Sequence, residues 1–416
     1  MRRTALLTLL SDWLPKLVSF ATVVLLARRL GAPEFAQLAV ALSWIGYAWW
    51  GVDLGQAGYS IRTLAAAAGA EQRRLGSGIF SLYLARAGAV SGIVVVVLAV
   101  AGDLAGGSGR LLLAMTPYLL CYALFPDWWL RARGQLWQLG AANWAVAGGF
   151  LAAVLALPRN AALDALAFGL SPLAGAAVSL TVLWRARQLP QLQVSRRAWR
   201  THLRTSLLFS ASGAGGQVAT PLALASMTAA NPGAAGAFAL GLRASGAAAN
   251  ALWLLLHNAL PHLLAQRRAD ARRRLGVRYV LAAAVPPLLG VLIAVALWHP
   301  IRDHVIGPSY SRYGGYLLLG AALLVVWGPK YLVEINLIAS FGDLRRIAKN
   351  MLAPVLVIAA LISGITDSRP WVMPTALLLG EVLATALGFV LLNRCPAPVR
   401  TSVLVEPAAT PGLDPC

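Results

Sequence analysis

The chain has 416 residues, 59% of them hydrophobic and only 12% charged, with a formal net charge of +20. A soluble domain carries roughly 25% charged residues, so an ordinary soluble globule is excluded and a polytopic membrane protein is implied. The excess of base would suit nucleic acid in a soluble chain; in a membrane protein it points to basic cytoplasmic loops facing anionic lipid.

A span needs about 20 apolar residues. Twelve stretches qualify: 4–27, 36–60, 78–101, 111–130, 138–157, 163–184, 206–228, 235–262, 279–298, 314–339, 350–366 and 372–392. The first is too long for a signal-peptide core, and Ala27-Arg28-Arg29 follows it in place of a small-residue cleavage site, so it reads as a retained anchor. Its centre holds Asp12, Pro15 and Lys16. Each charge costs roughly 2.5–3.5 kcal/mol at mid-bilayer on insertion scales. Asp12 and Lys16 are four apart, on one helix face, where a pair lowers that cost. Lys330 and Glu334 repeat the spacing in the tenth span, and Pro15 and Pro329 each precede the lysine, where a proline kinks a helix. A kinked helix with a paired lysine suits a cavity wall.

The loops alternate in charge. One set carries 24 basic residues, including RARQLPQLQVSRRAWRTHLR (185–204) and QRRADARRRLGVR (266–278); the other carries 7. This asymmetry places both termini in the cytoplasm. Arg28-Arg29 runs against it. The longest outer loop, 299–312, has no room for a catalytic domain. The 185–204 and 265–278 connections read as amphipathic interfacial segments, and the Pro-rich end of the chain as disordered. The 185–204 loop divides the chain into an N-terminal six-helix bundle (1–184), a basic cytoplasmic linker (185–204), a C-terminal six-helix bundle (205–392) and a tail (393–416). LLARRLGAPEFAQLAVAL (25–42) resembles LASMTAANPGAAGAFALGL (224–242), each with a turn proline, Pro33 or Pro232, leading a new helix. Two halves of six spans insert in the same direction. They form a parallel repeat about the membrane normal, with a site expected between them.

Nine ionisable residues fall within or beside the spans: Asp12, Lys16, Asp53, Arg86, Asp127, Arg243, Lys330, Glu334 and Glu381. Such residues face a bundle interior or a watery cavity. Arg86 and Arg243 have small neighbours, which let helices approach closely or leave room for a ligand, and Arg suits bidentate phosphate recognition. With Lys16 and Lys330 they are the candidates for a cationic substrate-binding cavity. Asp53 and Asp127 adjoin tryptophan clusters and read as helix-end anchors, or as gate partners of Arg62 and Arg131. Glu381 stands alone in the last span as a protonatable coupling candidate; Asp12, Glu334, Asp53 and Asp127 join it as ion-coupling or gating candidates. The histidines and the three cysteines have no metal-ligand spacing, and neither a phosphate loop nor a GxSxG elbow occurs. No metal, cofactor or catalytic centre is expected.

ARRLGAPEFAQLAVAL (27–42), VDLGQAGYSIRTLA (52–65), FPDWWLRARGQLWQLGAANWA (125–145), NPGAAGAFALGLRASG (231–246) and IGPSYSRYG (306–314) together resemble the oligosaccharide flippase family. This is the Wzx-type branch of the multidrug/oligosaccharidyl-lipid/polysaccharide exporter superfamily. Ala36 stands where a Gly is usual. The resemblance implies an all-α membrane protein of twelve helices in two six-helix bundles, and alternating-access export of polyprenyl-pyrophosphate-linked oligosaccharide across a bacterial cytoplasmic membrane. The expected partners are that lipid, the bilayer, and a polymerase and chain-length proteins; nucleic acid is not among them. The alternatives are a small-molecule or cation antiporter of the same superfamily, disfavoured by the mixed charges, and a membrane polymerase or ligase, disfavoured by the short outer loops.

Overall fold

The computed structural model describes residues 9–101, 106–193, 199–200, 202–203, 214–265, 295–341 and 371–393, with isolated positions between 278 and 293. The expected eleventh span, the 266–277 basic run, and the tail from 394 with Cys395 and Cys416 lie outside the described residues, as do the side chains of Asp12, Arg62 and Glu334. The described elements are all helical. Among them, Gly69–Ala101, Gly106–Ala132, Leu136–Ala156 and Ala161–Arg185 are each long and apolar enough to cross a membrane. Ala214–Ala230, Pro232–Ala265, Gly314–Phe341 and Val372–Asn393 follow in the second half.

The first two spans form one helical run, Leu14–Asp53, divided at Gly31 (φ 77°, ψ 169°). That positive φ is one that glycine adopts without strain. Ser19 and Gly46 would lie about 40 Å apart on a straight helix, yet both line one cavity, so the two arms, 14–30 and 32–53, fold back on each other. Pro15 sits near the start of the first arm. It has no N–H to offer the carbonyls of Leu10 and Ser11, its partners in π and α register. The π-helical turn Leu9–Trp13 places both carbonyls against the fifth span. There Asn143 donates to Ser11 O (2.9 Å) and Trp144 to Leu10 O (3.2 Å). The proline's cost is met by side chains of another helix.

Three local readings are corrected. The second span does not run on to residue 60. It stops at Asp53, because Leu54 and Gly55 take left-handed conformations, and a short helix, Gln56–Ala66, begins. The fourth span is three helices, Gly106–Met115, Pro117–Ala123 and Asp127–Ala132, with breaks at Pro117 and Pro126. Residues 188–193 of the linker form no helix, while 199–200 and 202–203 are helical. The N–H groups of Gln191 and Gln193 donate to the hydroxyls of Ser77 (3.0 Å) and Ser81 (2.7 Å) on the third span. Ser77 and Ser81, four apart, share one face of the helix, so both hydroxyls are within reach of this one segment.

The halves meet at the end of the bundle that carries Gly31. Ala32, Phe35, Ala36 and Ala39 of the second arm are buried with Ala234, Ala235 and Phe238 of the 232–265 helix. The two turn prolines of the internal repeat, Pro33 and Pro232, thus begin helices that pack on each other. A Cβ on Gly236 would lie 2.0 Å from Ala32 O, so backbone meets backbone there. From the 301–313 segment, the buried Tyr310 hydroxyl donates to Ala27 O (3.2 Å), and Arg28 donates to His304 O (2.8 Å). Arg29 donates to the carbonyls of Val154 and of Leu157 (3.0 Å), at the end of the fifth span. These last carbonyls have no intrahelical partner. The Arg28-Arg29 pair that breaks the charge alternation is therefore spent on tying helix ends together.

Gly236→Ala should cost about 1–3 kcal/mol, the usual range for overpacking, and lower the thermal midpoint of the detergent-solubilised protein by several degrees. Gly148, which has open space around its missing Cβ, is the control. Gly148→Ala should leave the midpoint unchanged or raise it.

Candidate functional site

Between the halves lies a cavity of about 780 Å³ whose walls come from both of them. From the first half, Lys16, Ser19, Phe20 and Val23 face it at helical spacing, with Tyr118, Tyr122 and Phe125 at the same spacing on the fourth span. From the second half come Thr220, Leu242, Arg243, Trp327, Lys330 and Glu381. The aromatic wall is interlocked. Tyr118 stacks on Phe168 at 5.0 Å between centroids, and Tyr122 meets Phe125 edge-on at 5.7 Å. Such offset and edge-on pairs hold ring positions rigidly.

Among the described residues, four cations line the cavity: Lys16, Arg131, Arg243 and Lys330. Three of the four expected substrate-binding residues are thus brought together, and Arg131 joins them. Arg86 is elsewhere. Its guanidinium donates to Gln56 Oε1 (2.6 Å) and to the carbonyls of Val52 and Asp53 (both 3.3 Å), binding the end of the second span. A cation at a helix C-terminus is favoured by the dipole and by the orphan carbonyls. His202, buried nearby, has its imidazole pushed below the usual histidine range, first by burial and then by Arg86.

The acids are placed as follows. Asp53 accepts from Gly55 N (3.1 Å), Ala57 N (2.9 Å) and the Tyr83 hydroxyl (2.5 Å), so it stabilises the turn into the 56–66 helix. Asp127 pairs with Arg131, Nε to Oδ2 3.3 Å, as one of the sequence alternatives had it. Glu381 is not alone: Lys330 Nζ reaches its Oε2 at 2.5 Å from the neighbouring helix. The expected partner of Lys330, Glu334, has its side chain outside the described residues. Arg243 has no hydrogen-bond or ion-pair partner among the described residues.

Arg131 and the aromatic wall are not singled out by the sequence reading: a span that ends at residue 130 leaves Arg131 among the loop cations. The i, i+4, i+7 spacing of Tyr118, Tyr122 and Phe125 was the available signal for one aromatic face.

The buried Lys330–Glu381 pair makes a sharp prediction. Removing one partner of a buried pair costs about 3–5 kcal/mol, whereas replacing both by apolar groups is often neutral. Glu381→Ala should strongly lower the thermal stability of the purified protein, and Lys330→Met/Glu381→Met should restore most of it.

Residues 1–126 match the family model described as "Polysaccharide biosynthesis protein". No curated protein matches the chain in sequence. Solved structures match its fold over nearly the whole length. A multidrug resistance MATE family transporter of the MOP superfamily, in an inward-facing conformation, aligns with TM-score 0.69 at 14% identity, covering 94% of this chain and 97% of that one. The lipid II flippase MurJ, in an inward closed conformation, aligns with TM-score 0.68 at 10% identity, covering 94% and 88%. A MOP superfamily transporter from Pyrococcus furiosus, described as having a binding pocket of reverse polarity, aligns with TM-score 0.62 at 13% identity, covering 93% and 97%. The protein is an all-α, multi-pass membrane protein with the fold of these transporters, and its first 126 residues match the model of the polysaccharide biosynthesis family.

Proposed function

We propose that this chain is a flippase that moves polyprenyl-pyrophosphate-linked oligosaccharide across the bacterial cytoplasmic membrane for surface polysaccharide synthesis. The observation that carries the reading is the cavity between the halves. Four cations line it, and Arg243 stands without a partner among the described residues. A bare cation inside a membrane protein is costly and marks a ligand path by default. A pyrophosphate is the ligand that a cluster of Arg and Lys suits, and the aromatic wall adds apolar faces for sugar rings. The match of residues 1–126 to the polysaccharide biosynthesis family supports the same substrate class.

In this reading the bodies that rock are 1–184 and 205–392, joined by the 185–204 linker, with both termini in the cytoplasm. The Gly31 end is the outer face. Lys16, Arg131 and Asn143 line the cavity and stand toward the basic turns, which supports an inward-facing state in this reading. The lipid tail stays in the bilayer, and a polymerase and chain-length proteins take the product. A cation antiporter would share the fold, but it calls for unpaired acids. Here Asp127 and Glu381 each hold a base. The chain is read as a transporter and not as an enzyme.

Deleting the gene should abolish surface polysaccharide and cause complete lipid-linked repeat units to accumulate. Wild-type protein should restore export and Arg243→Glu, present at equal level in the membrane, should not. Truncated lipid-linked intermediates would indicate an earlier enzymatic step instead, and two unchanged pools would overturn the reading.

A further inference from the structure

Five of the rings that line the cavity form one unbroken strip. Phe150 meets Phe168 edge-on at 5.6 Å between centroids, and Phe168 stacks on Tyr118 at 5.0 Å. Tyr118 leans on Tyr122 at 5.4 Å, and Tyr122 meets Phe125 edge-on at 5.7 Å. All five rings belong to the first half. Local sequence builds the strip. Tyr118, Tyr122 and Phe125 share a face by their spacing. At Gly169 a Cβ would lie 3.1 Å from Ala114 O, so the sixth span can lie against the backbone of the fourth, and Phe168 beside it lands on Tyr118. Trp49 of the second span meets Tyr122 edge-on at 4.4 Å. The strip is thus ordered before any ligand arrives, and a ligand that stacks on it does not have to fix the rings itself.

Tyr118, at the middle of the strip, carries two further features. Its hydroxyl has no hydrogen-bond partner among the described residues, although a tyrosine in such surroundings usually finds one. Arg243, on the second half, lies near enough to interact with it electrostatically. Arg131 and Lys330 are each held by a carboxylate, whereas Arg243 has no hydrogen-bond or ion-pair partner among the described residues. An aromatic face, an unengaged hydroxyl and an unengaged guanidinium therefore converge on one part of the cavity, and they come from different halves.

Resting on the flippase reading above, we infer that Tyr118 recognises the sugar joined directly to the diphosphate. The C–H face of that pyranose stacks on the Tyr118 ring, a sugar hydroxyl bonds the Tyr118 hydroxyl, and Arg243 holds the neighbouring phosphates. A pyranose suits this place because it has two kinds of surface. Its C–H bonds carry slight positive charge and match the negative face of an aromatic ring. Its hydroxyls need polar partners and can both donate and accept. A diphosphate without a sugar engages the cations and leaves the Tyr118 ring uncovered. The ligand class is accordingly a glycosyl diphosphate, held by its phosphates from the second half and by its first sugar from the first half.

The test compares two probes of equal charge. Each is farnesyl diphosphate esterified at its far phosphate, one with N-acetylglucosamine and the other with a methyl group. Binding to the full-length protein in detergent is measured by calorimetry, and the fold of each variant is checked by its thermal midpoint. Wild type should bind the glycosyl probe about tenfold more tightly than the methyl probe, the worth of one good ring contact. Tyr118→Leu keeps apolar bulk and removes the ring; it should bring the two probes level. Tyr118→Phe keeps the ring and should retain most of the preference. Arg243→Ala should weaken both probes and keep the preference. Equal affinity of wild type for the two probes, or an undiminished preference in folded Tyr118→Leu, would overturn the role of Tyr118 and leave the flippase reading standing. Failure of folded wild type to bind either probe would overturn both.

Discussion

The close approach of Gly236 to Ala32 is the contact on which the rest of this structure depends. A side chain at 236 would collide with the carbonyl, so the two halves can touch backbone to backbone only because glycine stands there. That contact closes one end of the molecule. Tyr310 on Ala27 and Arg28 on His304 lie over the same seam and add directed bonds to what is otherwise non-directional packing. The cavity lies between the two halves that this contact joins.

Charge in this protein follows one rule with several solutions. A buried ionised group must be paired, bonded or placed against a watery space. Arg86 is bonded to the carbonyls and the amide at a helix end. Arg29 does the same at the end of the fifth span. Lys330 is paired across helices, and Arg243 is given the cavity. Carbonyl carriers of partial charge recur because every helix end offers unsatisfied ones. The arginines that seem out of place by loop counting are where two helix ends come within reach of one long side chain.

Proline is handled in the same way. Pro15 strips two carbonyls of their donor, and Asn143 and Trp144 of the fifth span supply it. The break that a soluble helix would expose to water is here closed by a neighbour, as it must be at this depth. The same turn brings Lys16 onto the cavity wall. Local irregularity and the site are therefore one feature rather than two.

By itself the sequence determined the class of protein and the repeat of a turn proline at the head of a helix in each half. Each of these follows from composition or from a local period. Apolar runs of membrane length can be read without knowing what they touch; the repeat of Pro33 and Pro232 announces itself in the same way. The sequence also marked Lys16, Arg243 and Lys330 as cavity residues, because a membrane leaves an ionisable group few other places. It did not decide partners. Spacing could not point Lys330 to Glu381, 51 positions away; spacing left Arg86 open, and the fold used it to hold the end of the second span. Pairing depends on which helix faces come within a few ångströms, and that is set by the packing of the whole bundle. Only the tertiary structure could therefore separate the cations that face the cavity from those that hold it together.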